Sequence, residues 1–271
     1  MSIKFLEGGC IFSFDNFGPE FIFPPPEHDY IMEGKIYGSP TGPVPAEKVI
    51  ADPNILNDIE SDASIIAYNK EDNSLLLIRD AVGATPLFYA RTDEGCNASF
   101  NLSLLLKTLK KPPKHNEDAF YDFLATHYRY VFRESFRTFH HGVYQVPAGH
   151  YILIQENDVI TNQYLDLAFD TNAQKMSFDD ASHEYIRILD ENVGLRLSAL
   201  PDKSFAFTVS SGLDSSTVAS LAARRLKTPL DTFTMSYSSA KGTPYDETPG
   251  VRALLASTDW KLNNLEMDAP L

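Results

Sequence analysis

The sequence predicts a two-domain α+β protein, and three observations point there. Over roughly the first 170 of its 271 residues, short apolar runs alternate with turn residues, a strand-and-turn pattern. From Ser177 onward, strand segments alternate with helical ones, the pattern of a parallel sheet with crossover helices. The stretch 166–177 between them is polar and irregular. The boundary is placed there, giving domains of 1–170 and 171–271.

Each element has a local reason. Pro24-Pro25-Pro26 and Gly38-Ser39-Pro40-Thr41-Gly42-Pro43 exclude long helices from the first 90 residues. Ile65-Ile66-Ala67-Tyr68 and Leu75-Leu76-Leu77-Ile78, joined by the polar Asn69-Lys70-Glu71-Asp72-Asn73, form a β-hairpin. Continuous apolar runs of this kind imply strands covered on both faces. Leu87-Phe88-Tyr89-Ala90 is the next strand. Leu102, Leu105, Leu106 and Leu109 share one side of a helix over 101–110, which Pro112-Pro113 ends. Asn116 caps a second helix carrying Phe120, Phe123 and Leu124. Strand returns over 143–154, interrupted by Pro147-Ala148-Gly149. In the second domain Ser177 caps a helix bearing Ala181, Tyr185, Ile188, Leu189, Asn192 and Leu195. Strands follow at Phe205-Ala206-Phe207-Thr208-Val209, 230–237 and 261–267, with helices over 214–226 and 246–257. No internal repeat is visible.

Composition narrows the function. Hydrophobic residues make up 43%, enough to bury a core. A formal net charge of −14 argues against nucleic acid or an anionic membrane as main partner. Cys10 and Cys96 are too few for a disulfide scaffold or a thiolate zinc site, and they fit a reducing cytoplasm. The segment Met1-Ser2-Ile3-Lys4-Phe5-Leu6-Glu7 has no long apolar core, so no signal peptide is read, and no run approaches the ~20 apolar residues of a spanning helix. A cytoplasmic location is expected. His140-His141 and His150 lack carboxylate or cysteine partners at ligand spacing; the pair reads as surface and His150 as a turn residue. Asp246, in Tyr245-Asp246-Glu247, reads as a helix-start carboxylate in preference to a substrate or metal ligand.

The most informative residues are Ser210-Ser211-Gly212-Leu213-Asp214-Ser215-Ser216. They follow an apolar strand and open a helix containing Val218, Ala219, Leu221 and Ala222. A helix start offers unpaired N–H groups and the positive end of the helix dipole, so it suits phosphate. A tight Gly/Ser loop lets backbone N–H groups approach phosphate oxygens, and the four serine hydroxyls can add donors. The Asp214 carboxylate would repel phosphate unless a divalent cation lies between them, which makes it the candidate magnesium ligand. No GxxxxGK[ST] occurs, so this is not a Walker loop.

The loop resembles the PP-loop, Ser-Gly-Gly-Leu-Asp-Ser-Ser, of ATP pyrophosphatase domains. Three further segments resemble the asparagine synthetase family and its β-lactam synthetase and lasso-peptide cyclase relatives. Arg79-Asp80-Ala81-Val82-Gly83-Ala84-Thr85-Pro86-Leu87-Phe88-Tyr89 is similar to the family's Arg-Asp-x-x-Gly-x-x-Pro-Leu-Tyr-Tyr hairpin. Val146-Pro147-Ala148-Gly149-His150 is similar to its Pro-Pro-Gly-His turn, and Tyr164-Leu165-Asp166 to the Tyr-Trp-Asp closing its N-terminal domain. The match spans roughly 30–267. It implies an N-terminal-nucleophile (Ntn) hydrolase-like, glutaminase-like β-sandwich, followed by an incomplete doubly wound α/β ATP-pyrophosphatase domain. It also implies ATP and Mg²⁺ as cofactors, an ATP site of Val209, Ser210, Ser211, Gly212, Leu213, Asp214, Ser215, Ser216 and Met235, and Asp214 on the metal.

The sequence departs from that family in several places. Position 2, the glutaminase cysteine of glutamine-using members, is Ser2. The Arg-Gly-Pro-Asp segment is absent, and the Asn-Gly-Glu-Ile-Tyr-Asn loop survives only as Glu33-Gly34-Lys35-Ile36-Tyr37-Gly38. The first domain therefore resembles a degenerate class II glutamine amidotransferase. Ser211 stands where the family has its first glycine. If that position needs φ > 0 or the closest backbone approach, serine is costly there.

Three readings of function follow. The first is an AMP- and pyrophosphate-forming amide ligase that adenylates a small-molecule or peptide carboxylate for attack by an amine from a source other than glutamine. A second polypeptide would complete its ATP domain along strand 204–209. The second is a non-catalytic nucleotide-binding or assembly subunit. The third is a glutaminase using Cys10, exposed by removal of Met1–Gly9. A buried core cysteine is the preferred reading of Cys10.

Overall fold

The computed structural model describes residues 30–38, 44–92, 95–126, 136–155, 158–165, 170–199 and 205–267, and the backbone of 2–6 and 9–15. Pro24-Pro25-Pro26, most of the 38–43 breaker, Asp166 and the side chains of Ser2 and Cys10 lie outside the described residues. The chain divides into two compact units, Met1–Ala168 and Phe169–Leu271.

The first unit is built from two antiparallel five-stranded sheets. One contains β1 (Ser2–Leu6), β2 (Gly9–Asp15), β8 (Phe88–Thr92), β9 (Gly95–Ser99) and β10 (Val143–Gln145), in the order β1-β2-β9-β8-β10. The other contains β3 (Tyr30–Glu33), β6 (Ser64–Asn69), β7 (Ser74–Ile78), β11 (His150–Gln155) and β12 (Asp158–Gln163), in the order β12-β11-β7-β6-β3. The short β4 (Ile36–Gly38) and β5 (Glu60–Ser61) pair with each other.

Period-two alternation explains the core. Leu75 and Leu77 of β7, Ile66 of β6, and Ile152 and Ile154 of β11 meet Tyr89, Cys96 and Ala98 of the facing sheet. The alternate residues Ile65, Ala67 and Ile78 are buried on the outer side, under Val49 of α1 (Ala46–Ala51) and Leu56. Phe88, Ala90 and Val143 likewise bury their outer face under Leu105 of α2 (Leu102–Thr108). The apolar runs are continuous because both faces of these strands are covered.

The hairpin forms as expected, with Asn69 opposite Ser74. The Pro147-Ala148-Gly149 interruption carries the chain from one sheet to the other, since β10 pairs with β8 and β11 with β7. Asn101 and Asn116 cap α2 and α3 (Glu117–Thr126), accepting from Leu104 N and Ala119 N at 3.1 and 3.2 Å. On α3, Phe123 meets Phe139 edge to face, whereas Phe120 and Leu124 are about half exposed. The surface reading holds for His141 but not for His140. His140 is partly buried with its ring 5.9 Å from that of His115, and burial pushes its pKa down.

The second unit opens on α4 (Phe178–Ser198), where Ser177 Oγ accepts from Asp180 N at 3.1 Å. Three parallel strands follow in chain order: β13 (Ala206–Thr208), β14 (Asp231–Tyr237) and β15 (Lys261–Met267). Helices α5 (Leu213–Leu226) and α6 (Thr248–Leu255) make the crossovers. Val209, Phe207 and Leu262 face Ala219 of α5 and Val251 and Leu255 of α6. Val193 of α4 packs with Leu221 and Ala222 of α5. The other sheet face is bare among the described residues: Met235, Tyr237, Leu265 and Met267 are 60, 44, 51 and 45% exposed. No described helix is long and apolar enough to cross a membrane.

Candidate functional site

In the first unit, the segments singled out in the sequence converge on one buried polar cluster. Arg79, 7% exposed, donates to three main-chain carbonyls: Nε to Thr85 O at 3.0 Å, Nη1 to Val146 O at 2.8 Å and Nη2 to Gly83 O at 2.8 Å. Asp80, fully buried, accepts from Val82 N, Ala84 N and Thr85 N at 3.2, 2.8 and 3.1 Å. The Tyr164 hydroxyl donates to Arg79 O at 2.7 Å, and burial raises its pKa. Gly149 N donates to Asp80 O at 2.9 Å. Gly83 sits at φ +69°, and a Cβ there would come within 2.9 Å of Arg79 Nη2. Gly34 of the 33–38 loop has φ +92°, and a Cβ would run into Asp62 O.

A guanidinium and a carboxylate spent on backbone groups leave little for a substrate. This cluster fixes a strand-to-strand loop and the crossing between the two sheets. The buried Cys96 is equally inert: burial pushes its thiol up to about 12, so no reactive thiolate forms near neutral pH.

The second unit places its loop where chemistry is available. β13 runs into the loop and α5 leaves it, so Ser210–Ser216 lies at the C-terminal end of a parallel strand, the ligand-binding end of such sheets. Val209 anchors the loop: it is 3% exposed and donates its N–H to Phe233 O at 2.9 Å. Gly212 is the N-cap of α5, and no side chain caps the first turn. The N–H groups there are open to an anion. Leu213 is 83% exposed, and Ser211, Gly212 and Asp214 are exposed as well. Thr208 pairs with Phe233, so Met235, two residues further along β14, stands level with the start of the loop.

The expectation of four free serine donors is corrected. The hydroxyls of Ser210 and Ser215 bond each other at 2.9 Å, and Ser215 Oγ accepts from Ser210 N at 3.0 Å. Ser216 Oγ donates back to Gly212 O at 2.7 Å, the usual habit of a serine in a first helical turn. These three serines spend hydroxyl bonds on shaping the loop itself. The positive φ that would make serine costly at 211 is not adopted there: among the described residues the positive-φ non-glycine positions are Asn73 and Lys227.

Asp246 follows its helix-start reading. Its carboxylate accepts from Gly242 N and Thr248 N, both at 3.1 Å, and these bonds, the Gly242 one first, hold its pKa down. Its neighbour Glu247 was passed over in the sequence. Glu247 Oε2 accepts from Ser211 N at 3.3 Å, so the start of α6 touches the loop. The available signal was topological: in a parallel α/β unit every helix after a strand starts at the same sheet end.

Comparison with known proteins gives two matches of domain length. Residues 52–165 match the glutamine amidotransferase domain family, and residues 184–269 match asparagine synthase. No curated protein matches the chain. Among solved structures, it aligns with a glutamine phosphoribosylpyrophosphate amidotransferase from B. subtilis complexed with ADP and GMP. That alignment has 11% identity and covers 64% of this chain and 32% of that one. Its TM-score of 0.26 is too low to carry an argument about fold or ligand.

Proposed function

The chain belongs to the asparagine synthetase family, as its N-terminal portion, and from that premise we propose that it serves AMP- and pyrophosphate-forming amide ligation. The observation that carries the proposal is the uncapped start of α5 beside the exposed Asp214, at the C-terminal end of a parallel strand. The uncapped N–H groups of the first turn of α5 take the phosphates of ATP, and Met235 lies beside the base. The donor chemistry suits magnesium, which prefers one or two carboxylates plus substrate phosphates to a protein cage. Asp214 would hold it, and the bound ion would neutralise charge on the pyrophosphate.

The reaction is then a double displacement. A substrate carboxylate oxygen attacks the α-phosphorus of ATP, and the bond to pyrophosphate breaks. An amine nitrogen next attacks the acyl carbon, and AMP departs. The loop N–H groups favour the first step by holding the charge that builds on the leaving group.

In this reading the first unit is a degenerate class II glutaminase of the Ntn type, retained as a scaffold. The amine does not come from glutamine, since Ser2 stands at the nucleophile's position, the Arg-Gly-Pro-Asp segment is absent and the oxyanion-loop asparagine is Glu33. Use of Cys10 as nucleophile would require loss of β1, whose five residues pair along β2. Among the described residues β13 has a free edge, with Ala206 and Thr208 exposed, and there a second polypeptide adds strands. A solution monomer whose 205–209 amides are protected by this chain alone would overturn that last point.

Calorimetry with Mg-ATP tests the site. The parent should bind, and Asp214→Asn should lose at least about tenfold in affinity, roughly 1.4 kcal/mol, with its melting point unchanged. Equal affinity would remove Asp214 from the site. Pyrophosphate release, assayed with the chain alone and with its neighbouring gene product, separates a ligase from a nucleotide-binding subunit.

A further inference from the structure

We infer that Glu247 gates the phosphate loop: its carboxylate occupies the Ser211 N–H in the nucleotide-free protein and is displaced when a nucleoside triphosphate binds. The inference rests on the nucleotide reading of the loop and adds a residue and a switching step to it.

Two contacts between different elements carry it. Glu247 Oε2 accepts from Ser211 N at 3.3 Å, so an anion already sits on a loop donor. Three residues on in α6, Gly250 faces the same residue: a Cβ built on Gly250 would lie 2.7 Å from Ser211 Cβ. Ser211 therefore fits against the loop's neighbour helix because position 250 has no side chain. The serine is a packing partner of α6, so the loop and the start of α6 are in direct contact.

The electrostatics fix the direction of the effect. Glu247 is exposed and sets a carboxylate on a donor that an incoming phosphate would use. Carboxylate and phosphate cannot share that N–H, and their like charges repel. At 3.3 Å the bond is long for a charge-assisted one, so it yields to a more highly charged ligand. Glu247 thus biases the loop against weak anions and in favour of a phosphate chain accompanied by a cation.

The experiment is calorimetry with ATP, with magnesium and with EDTA in its place, on the parent and on Glu247→Gln. The exchange keeps size and an acceptor oxygen while removing the charge. Metal-free ATP should bind Glu247→Gln about threefold to tenfold more tightly than the parent, with a smaller gain when magnesium is present. Unchanged or weaker metal-free binding by the variant would overturn the gate. Failure of parent and variant alike to bind ATP under either condition would overturn the nucleotide reading itself. A melting series reports on the contact without nucleotide: Gly250→Ala should lower the melting point, and Ser211→Gly in the same chain should restore most of it. A neutral Gly250→Ala, or no recovery in the double variant, would remove the coupling between loop and helix.

Discussion

The two units solve the same burial problem to different degrees. Among the described residues, the first unit holds fully buried Ile66, Leu77, Leu105 and Ile152, whereas Val251 and Ala222 are fully buried in the second. Its two sheets face each other, and its central strands have apolar cover on both sides. The second unit has a parallel sheet, a type that normally buries both faces, yet among the described residues helices cover only one. On the other face Met235 and Leu265 are more than half exposed, and β13 has a free edge among the described residues. The closed unit spends its polar motifs on its own backbone, and the open one leaves helix-start donors and a carboxylate in solvent. Among the described residues, burial is concentrated in the first unit and exposed loop groups in the second.

The largest effect should come from breaking the closed unit at its polar cluster. Arg79→Ala would strip the buried carbonyls of Thr85 and Val146, and the part-buried one of Gly83, of a charged donor. The expected loss is at least about 3 kcal/mol in urea unfolding. Arg79→Lys should recover only part of it, because one ammonium cannot span three acceptors as a planar fork does. Loss below about 1 kcal/mol would mean that water takes over these carbonyls and that the unit is less closed than described.

Truncating one leucine in each unit compares the two cores directly. Leu77→Ala, between two sheets that cannot collapse inward, should cost about 3–4 kcal/mol. Leu221→Ala lies in a smaller cluster with half-buried neighbours such as Leu189 and Leu197, and should cost nearer about 2 kcal/mol. Equal costs would show that the second core is as tightly bounded as the first.

The sequence was most readable where one residue carries one local signal. Asn101, Asn116 and Ser177 are caps because their side chains bond an N–H three residues on. The 65–78 hairpin was legible because apolar runs flank a polar turn. β9 was missed: Gly95-Cys96-Asn97-Ala98-Ser99 has small or polar residues, and only pairing with β2 and β8 makes it a strand. The Arg79–Asp80 segment could be matched to a family motif, but its task could not be read, because its partners lie as far along the chain as Val146 and Tyr164. The loop was legible in its setting between strand and helix. The roles of Ser210, Ser215 and Ser216 were not, since a serine string does not say which hydroxyls bond each other. Glu247 and Gly250 escaped notice because their contact with Ser211 crosses nearly forty positions of sequence.

A smaller effect should separate stability from binding within the open unit. Met235 is 60% exposed, so Met235→Ala should cost the fold under about 0.5 kcal/mol. If the residue borders the base of ATP, the same change should weaken nucleotide binding by about threefold to tenfold through lost apolar contact. Equal ATP affinity in parent and variant would remove Met235 from the site. A large stability loss would show that the exposed sheet face is covered in solution.

The smallest effect concerns the ion pair that ties α4 to α5. Arg225 donates Nε to Asp190 Oδ1 at 2.9 Å and Nη2 to Asp190 Oδ2 at 2.6 Å. Hydrogen bonding from Arg225 is the main reason the Asp190 carboxyl titrates below its ordinary value. A carboxyl depressed in the folded state stabilises above its unfolded pKa, about 3.9, and loses that contribution as pH falls through the folded value. Asp190→Asn should therefore flatten the acid limb of the melting curve below about pH 4. The side chains are 38 and 35% exposed, so solvent screening limits the loss at neutral pH to about 0.5 kcal/mol. Gly194 allows a second approach to the same pair, since a Cβ there would overlap the Arg225 guanidinium. Glycine to alanine inside a helix ordinarily stabilises by about 0.5–1 kcal/mol. A Gly194→Ala variant that is instead neutral or destabilised, and that shares the flattened acid limb of Asp190→Asn, would trace the effect to this contact. An acid limb identical to the parent's in both variants would show that the pair contributes nothing, leaving α4 held to α5 by the cluster around Val193 alone.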